Sequence, residues 1–551
     1  MGDIVNVAAS AVGRRDRLVI LASSVGTVFE WYDFFLYGAL ATTISRQFFA
    51  GVNDTTAYIL ALLAFAAGFI VRPIGALIFG RLGDMWGRKN TFLVTMLLMG
   101  LSTFVVGLLP GYAVAGVATP LILVLLRLIQ GLALGGEYGG AATYVAEHAP
   151  PHRRGFYTSW IQATATVGLF LSLAVILTTR LIVGEAAFND WGWRVPFLLS
   201  AVLLAASLWI RLRLHESPSF LKMVAENRTS TSPVKDSFGR WPNLKIVLIA
   251  LFGLTAGQAV IWYTGQFYAL VFLEKTLRID GALANMLVAV ALALGAPGFI
   301  LFGWLSDRIG RKPIILAGCL LATLTYFPLF HWIAEVGNPA LARASSAAPV
   351  FVVADPSDCA FQFDPFGKAR FDSSCDLAKG WLARSGIGYT NVAAPAGAVA
   401  AVRIGEHVYP GLDGDRTDPA FASWRKAWEK GLADRIHGAG YPEKADPDTV
   451  NKPLLVGLLT ILILYATMVY GPIAAALVEL FPTNIRYTSL SLPYHIGNGW
   501  LGGLLPTTAF ALVAGTGNSY QGLWYPVIIA GATFVIGMIF VPETKGRDID
   551  I

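Results

Sequence analysis

Charge is scarce in this chain. Only 14% of its 551 residues are Asp, Glu, Lys or Arg, against about 25% in a soluble domain. A water-soluble globular protein of this length is thereby excluded. Cysteine is scarcer still, at three residues, which excludes a disulfide-dense secreted scaffold. No phosphate-binding loop occurs, so an ATP-driven machine is not expected. His407 and His437 stand among acids, yet in no recognisable metal or nucleophile spacing, and no metal site is expected. The net charge of +6 is not read as a nucleic-acid signal, because the placement of the basic residues decides their meaning.

What fills the chain is apolar. Hydrophobic residues make up 55% of it, and the mean hydropathy is +0.59. Uncharged stretches of about 20 residues recur, the length that crosses a bilayer. The sequence predicts spans near 18–45, 56–80, 90–109, 119–146, 156–183, 194–213, 244–272, 284–304, 313–334, 453–475, 488–513 and 522–541, twelve in all. The first 17 residues are small and polar and carry Arg14, Arg15 and Arg17. The apolar run behind them is too long for a cleavable signal, so none is expected. Lys and Arg gather in alternate connections, while the short loops on the other side hold only Arg46, Arg180, Arg194, Lys275 and Arg278. Cytoplasmic loops carry such an excess, so both termini are expected in the cytoplasm. The fold class is thus all-α and polytopic. A bundle over 1–213 joins, through a polar basic connector at 214–243, to a second bundle over 244–335 and 453–551.

The halves repeat. "GRLGDMWGRK" (80–89) and "GWLSDRIGRK" (303–312) agree at six of ten positions. The shared residues include Gly80 and Gly303, Asp84 and Asp307, Gly87 and Gly310, and Arg88 and Arg311. Each copy is expected in the inner loop after the second span of its half. "EHAPPHRRG" (147–155) and "ELFPTNIRY" (479–487) form a second echo, led by Glu147 and Glu479. The second half carries 109 extra residues between its two echoes. They fall at 336–452 and hold 13 basic and 14 acidic residues. That balance, with "APVFVV" and a helix-like "FASWRKAWEKGLADRI", predicts a small folded domain on the outer face, which is periplasmic in a bacterial inner-membrane protein. Cys359 and Cys375 then meet an oxidising compartment, and a disulfide is expected, with two free thiols as the alternative. Cys319, in an apolar segment, reads as a buried small residue.

Against this background, buried charges stand out. Glu30 and Asp33 share one face of the first span, and Glu30 lies about 18 Å above Leu18. Ionisable groups at that depth face a bundle interior or a wet cavity and mark a substrate or proton path, or else form a packing ion pair. Arg127 in the fourth span reaches the depth of Asp33 from the opposite direction. Protonating the acid frees the arginine, and deprotonation recaptures it. Gln130 and Glu137 share the broad face of Arg127. Arg72 precedes Pro73 in the second span and either binds an anionic substrate or ties helices at the inner gate. Arg72 and Arg127 read as the only basic residues within the spans. The second half offers Gln258, Trp262 and Gln266 at four-residue spacing, with Tyr263 beside them, and then Tyr494, His495 and Asn498.

These features together resemble the major facilitator superfamily, over roughly 15–335 and 453–547. "EWYDFFLYG", "RLIQGLALGGEYGGA", "WGWRVPF" and "RLRLHESPSF" are similar to its metabolite:proton symporter family, whose members carry 2-oxoglutarate, citrate, shikimate, proline or betaines. The resemblance implies two six-helix bundles that rock about a midplane site, an Asp33–Arg127 pair, and an inner gate of ion pairs among Asp84, Arg88, Asp307, Arg311, Glu147 and Glu479. It implies proton-driven uptake of a small carboxylate-bearing metabolite by a lipid-embedded monomer, with no cofactor and no enzymatic activity. A zwitterionic osmolyte held by Trp262 and Tyr263, and a sensor acting through the outer domain, are the alternatives. The insertion departs from the family pattern.

Overall fold

The computed structural model describes residues 24, 26–50, 54–213, 215–360, 373–413 and 418–550, without the side chains of 54–60, 62, 63, 65, 66, 510 and 514. The expected start of the first span at 18 lies outside them. The long apolar runs fold as helices, since helical pairing satisfies every backbone group where side chains offer none. In chain order they are α1 (26–39, continued as Ala41–Phe48), α2 (Asp54–Trp86), α3 (Arg88–Leu108), α4 (Ala118–His148), α5 (Pro151–Val183) and α6 (Arg194–Leu212). The rest are α7 (Trp241–Thr276), α8 (Gly281–Ile309), α9 (Arg311–Gly337), α10 (Lys452–Leu480), α11 (Arg486–Thr516) and α12 (Gln521–Phe540). Among the described residues, nine helices are long and apolar enough to cross a membrane: α3 to α10 and α12.

Helix α4 packs on α2 and α3, and α3 on α6; α9 packs on α10 and α12, and α7 on α12 and α10. The most extensive crossings between the halves are α2 against α11 and α5 against α8, and α4 also meets α10 and α11. The first two are equivalent positions exchanged between the repeats.

One expectation needs correction. The repeated motif is not in a loop. Gly80 to Trp86 complete α2, and Gly303 to Ile309 complete α8. The helices outrun the apolar stretches because Asp84 and Arg88, and Asp307 and Arg311, are buried between the halves, not solvated. The break comes at Gly87 and Gly310, whose φ values are +106° and +108°. L-residues with a Cβ avoid that region.

The described residues of 336–452 include a small sheet. Strands β1 (Val350–Ala354), β2 (Thr390–Ala393), β3 (Ala401–Ile404) and β4 (His407–Pro410) form one sheet in the order β2-β1-β3-β4. The β1–β2 pair is parallel; the other two are antiparallel. Helices Ser374–Arg384 and Phe421–Gly438 accompany it, the second over the helix-like stretch. Cys359 and Cys375 are joined by a disulfide, and Cys319 is a buried free thiol. Asp355 accepts the Gly397 and Ser357 N–H groups and the Ser357 hydroxyl. Those bonds hold its carboxyl below the usual carboxylate range.

Candidate functional site

Helix periodicity builds the first cluster. Asp33 and Tyr37 are one turn apart on α1, as are Arg127 and Gln130 on α4. Arg127 Nη1 lies 3.4 Å from Asp33 Oδ2 and donates to Gln130 Oε1 at 2.5 Å. Thr103 on α3 donates to Asp33 Oδ1 at 2.8 Å, and Gln130 Nε2 donates to Thr103 at 2.9 Å. The Arg127 guanidinium lies over the Tyr37 ring, 4.2 Å from its centre. Three helices thus close a ring of polar groups about a buried ion pair. Thr103 escaped notice in the sequence because a threonine in an apolar run carries no signal of its own.

A second charged cluster lies nearer the motif face, its Glu137 nearly three turns beyond Arg127 on α4. Glu137 Oε1 is 3.8 Å from Arg211 Nη2, both fully buried. Arg211 sits on α6 and covers the Phe92 ring at 3.3 Å. Arg72 and Arg127 are therefore not the only basic residues in the helical core. In the sequence Arg211 is inconspicuous, because it closes an apolar run next to a basic connector, where an arginine usually reaches water. Gly26 makes the space: a Cβ there would stand 1.5 Å from Arg211 Nη2. Glu30, a turn above Gly26, is 9% exposed and within electrostatic reach of Arg72, Arg211 and Asp33. Arg72 also faces Tyr263, Tyr470 and His495 of the other half electrostatically. Its guanidinium packs on Phe69 at 4.4 Å, and its Nε is buried without a hydrogen bond.

The opposite half supplies amides and rings. Gln258 on α7 and Asn498 on α11 exchange two hydrogen bonds of 3.1 Å each. Trp262 packs on Trp31 of α1 with centres 5.1 Å apart, and Phe267 on Phe34 at 6.0 Å. Tyr494 stacks on Tyr138 of α4 at 3.5 Å, bonds Tyr470 through its hydroxyl, and meets the His495 ring edge-on at 5.2 Å. Gln162 donates to the Tyr138 hydroxyl at 2.8 Å. Gln258, Trp262 and Gln266 are all buried, on a helix that is not regular throughout. The helix widens to π turns at Leu251–Thr255 and Thr264–Tyr268, and α11 does so at Ile496–Gly502.

At the motif face the repeats interlock. Asp84 accepts the N–H groups of Tyr487 and Thr488 at 3.1 and 2.9 Å, the Thr488 hydroxyl at 2.7 Å, and Arg88 at 2.8 Å. Asp307 accepts the N–H groups of Gly155 and Phe156 at 2.8 Å each and pairs with Arg311 at 2.7 Å. Each aspartate thus serves the first turn of a helix in the other half, where free N–H groups and the helix dipole favour a negative charge. Glu147 meets Arg486 at 2.7 Å and Arg88 at 3.7 Å; Glu479 meets Arg311 at 3.1 Å and Arg154 at 3.8 Å. Arg154 and Arg486 are the arginines of the second echo, exchanged across the boundary. Glu216 accepts from Arg88 and Lys89 N–H, and Glu543 from Arg311 and Lys312 N–H. A Cβ on Gly87 or Gly310 would fall 2.3 or 2.4 Å from these carboxylates. Gly80 and Gly303 permit the close approach itself, their added Cβ atoms falling 2.8 Å from Thr488 and 2.4 Å from Ser159.

This arrangement, with duplicated motif networks and charges facing rings across two bundles, is that of a secondary transporter of the major facilitator superfamily. Within it, the chain belongs to the sugar (and other) transporter family, whose model matches residues 18–240 and 436–550. An MFS/sugar transport protein model matches 142–354. The chain is 35% identical to the shikimate transporter of Escherichia coli (strain K12) over 322 residues, 57% of this chain and 72% of that one. It is 35% identical to the alpha-ketoglutarate permease of the same strain, over 59% of this chain and 74% of that one. The match to its proline/betaine transporter is 34%, over 57% of this chain and 64% of that one. These relatives are those of the metabolite:proton symporter type. In fold, the chain is similar to the proton:xylose symporter XylE bound to 6-bromo-6-deoxy-D-glucose, at a TM-score of 0.63 and 16% identity over 98% of both chains.

Proposed function

We propose that this transporter takes up a small carboxylate-bearing metabolite together with protons across a bacterial inner membrane. In this reading it has twelve spans, cytoplasmic termini and a periplasmic insertion, and it works as a monomer without a cofactor. The observation that carries the proposal is the buried Asp33–Arg127 pair within its ring of Thr103, Gln130 and Tyr37. A buried pair that loses one charge is destabilised by about 3–5 kcal/mol. Protonation of Asp33 releases Arg127 from its carboxylate partner, and the guanidinium, still bonded to Gln130, then has a substrate carboxylate to seek. Arg72, with no ion pair among the described residues, is the second carboxylate ligand. Gln258, Asn498 and Gln266 supply amides from the other half, and Trp262, Tyr263, Tyr494 and His495 form its wall. Glu30 and Glu137 extend the proton path from Asp33 toward the motif face. There the exchanged ion pairs hold the cytoplasmic side shut and must part before the site opens inward. The test is uptake by proteoliposomes of labelled organic acids, including shikimate and alpha-ketoglutarate, with and without an imposed proton gradient.

One observation favours a second reading, uptake of a zwitterionic osmolyte. Trp31, Trp262, Tyr263 and Phe267 form a continuous aromatic surface beside the charged cluster. Such a surface suits a quaternary ammonium. Glycine betaine in the same uptake panel separates the two.

A further inference from the structure

The insertion docks on one half. Among the described residues, Arg278 Nη1 donates to Pro442 O at 2.7 Å, and Ala445 N donates to Arg278 O at 3.1 Å. Tyr389 N donates to Gly517 O at 2.8 Å, and Asn391 Nδ2 donates to Thr516 O at 2.9 Å. These anchors lie on the α7–α8 and α11–α12 connections. The sheet therefore rests on the outer ends of helices that carry the central amides and rings.

A cavity of 400 Å³ opens along that seam, a volume typical of small-molecule sites. Its floor is the last turns of α7 and α9 and the α11–α12 connection; its roof is insertion residues 345–350, 386–390 and Tyr441. The lining contains one carboxylate, Glu335, and no lysine or arginine. Glu335 lies one turn beyond His331 on the same face of α9. The His331 ring stacks on Tyr520, with centres 3.9 Å apart and planes 8° from parallel, and its Nδ1 pairs with Phe327 O at 2.8 Å. One wall is thus a fixed aromatic surface, and Tyr389 and Tyr441 add rings from the roof. Asn518, Ser519 and Thr390 bring polar groups around it.

We infer that this cavity binds a small organic cation through an ammonium head, set between the Glu335 carboxylate and the rings of Tyr520 and Tyr389. Glu335 is the one charged side chain on the lining, and the Arg278 guanidinium behind Gly386 is engaged on the Pro442 carbonyl; the carboxylate sets a negative potential in the cavity, and aromatic faces attract alkylammonium groups. The same potential repels the carboxylates proposed for the central site, so the two sites differ in ligand class. The inference does not rest on the central reading. A bound cation joins the insertion to α9 and to the α11–α12 connection, and so ties an outer domain to moving helices.

Choline binding to the purified full-length protein tests this, by titration calorimetry against its uncharged isostere, in which carbon replaces the quaternary nitrogen. The expected result is saturable choline binding, none by the isostere, and a loss of about tenfold or more in affinity for Glu335→Gln. Tyr520→Leu should weaken binding about threefold or more. It provides the reading if Glu335→Gln lowers the melting temperature. Equal binding of choline and its isostere, no saturable binding, or affinity unchanged in both variants would overturn the inference. So would binding lost in Trp262→Leu yet kept in Glu335→Gln, which assigns the cation to the centre.

Discussion

Arg486 on α11 donates to Glu147 on α4 at 2.7 Å, across 339 residues of sequence and across the boundary between the halves. Its counterpart, Arg154 with Glu479 at 3.8 Å, repeats the exchange in the other direction. Neither arginine pairs with the glutamate of its own echo. Two pairs that cross the boundary bind the bundles to each other, and each must open when the bundles part.

The motif aspartates should therefore set the rate of that parting. Asp84→Asn keeps the volume and removes the charge that serves Tyr487, Thr488 and Arg88. Hydrogen bonds to a charged group are worth about 1.5–3 kcal/mol, so transport should fall about tenfold or more. Asp307→Asn should cost less, because Asp307 lacks an equivalent of the Thr488 hydroxyl bond. Uptake rates normalised to the protein in the membrane check this, and wild-type rates in both variants would remove the gating role.

The glycines that end α2 and α8 give a stability prediction. Gly87→Ala and Gly310→Ala each place a Cβ at positive φ and against a carboxylate. Backbone strain alone costs about 1–3 kcal/mol per site. Gly38→Ala meets nothing within 4 Å and serves as the control. Thermal melts of purified protein should show the first two lowered and the third unchanged or raised, since Gly38 lies within α1. A melt for Gly87→Ala equal to the control would contradict the steric account.

Arg211 and Glu137 should behave as a unit. Removing one leaves the other charged and buried, at about 3–5 kcal/mol. Arg211→Met alone should thus harm yield and melting more than the Glu137→Gln, Arg211→Met double variant. A double-mutant cycle measures the coupling. Additive losses would show that the two charges do not interact.

The insertion has its own checks. The 16-residue separation of Cys359 and Cys375 corresponds to about 3 kcal/mol in the chain-entropy account of cross-links. Mass spectrometry of unreduced protein should find the linked peptides, and reduction should lower the melting temperature. Two freely alkylatable thiols in native protein would count against the bond. The depressed Asp355 carboxyl contributes stability that is present above the ordinary aspartate pKa, about 3.9, and lost as pH falls through the lower folded value. Asp355→Asn should therefore flatten the acid limb of the insertion's stability.

Much of this architecture is legible in the sequence. Length and apolarity locate the helices, since only internal hydrogen bonding serves a backbone in lipid. The depth argument pairs Asp33 with Arg127, and the repeat locates the motif network. What escapes has a physical cause. Thr103 and Gly26 matter through what they touch, which spacing along one helix does not report. The exchange of Arg154 and Arg486 belongs to the packing of the halves, which neither echo reports on its own. The π turns of α7 and α11 add a residue to the turn, which spacing along the chain does not report. The ends of α2 and α8 outrun their apolar stretches because burial between the halves of the protein, unlike burial in lipid, tolerates paired charges.

The central claim is that Asp33 exchanges the coupled proton against Arg127. Its most direct measurement is the pH of a weakly buffered medium around de-energised cells when a transported organic acid is added. Wild type should alkalinise the medium and, once energised, accumulate the acid; a protonophore should abolish accumulation. Asp33→Asn should neither alkalinise nor accumulate, while still exchanging the acid down its gradient. Uphill accumulation by Asp33→Asn at the wild-type level, with Glu30→Gln uncoupled in its place, would contradict the assignment.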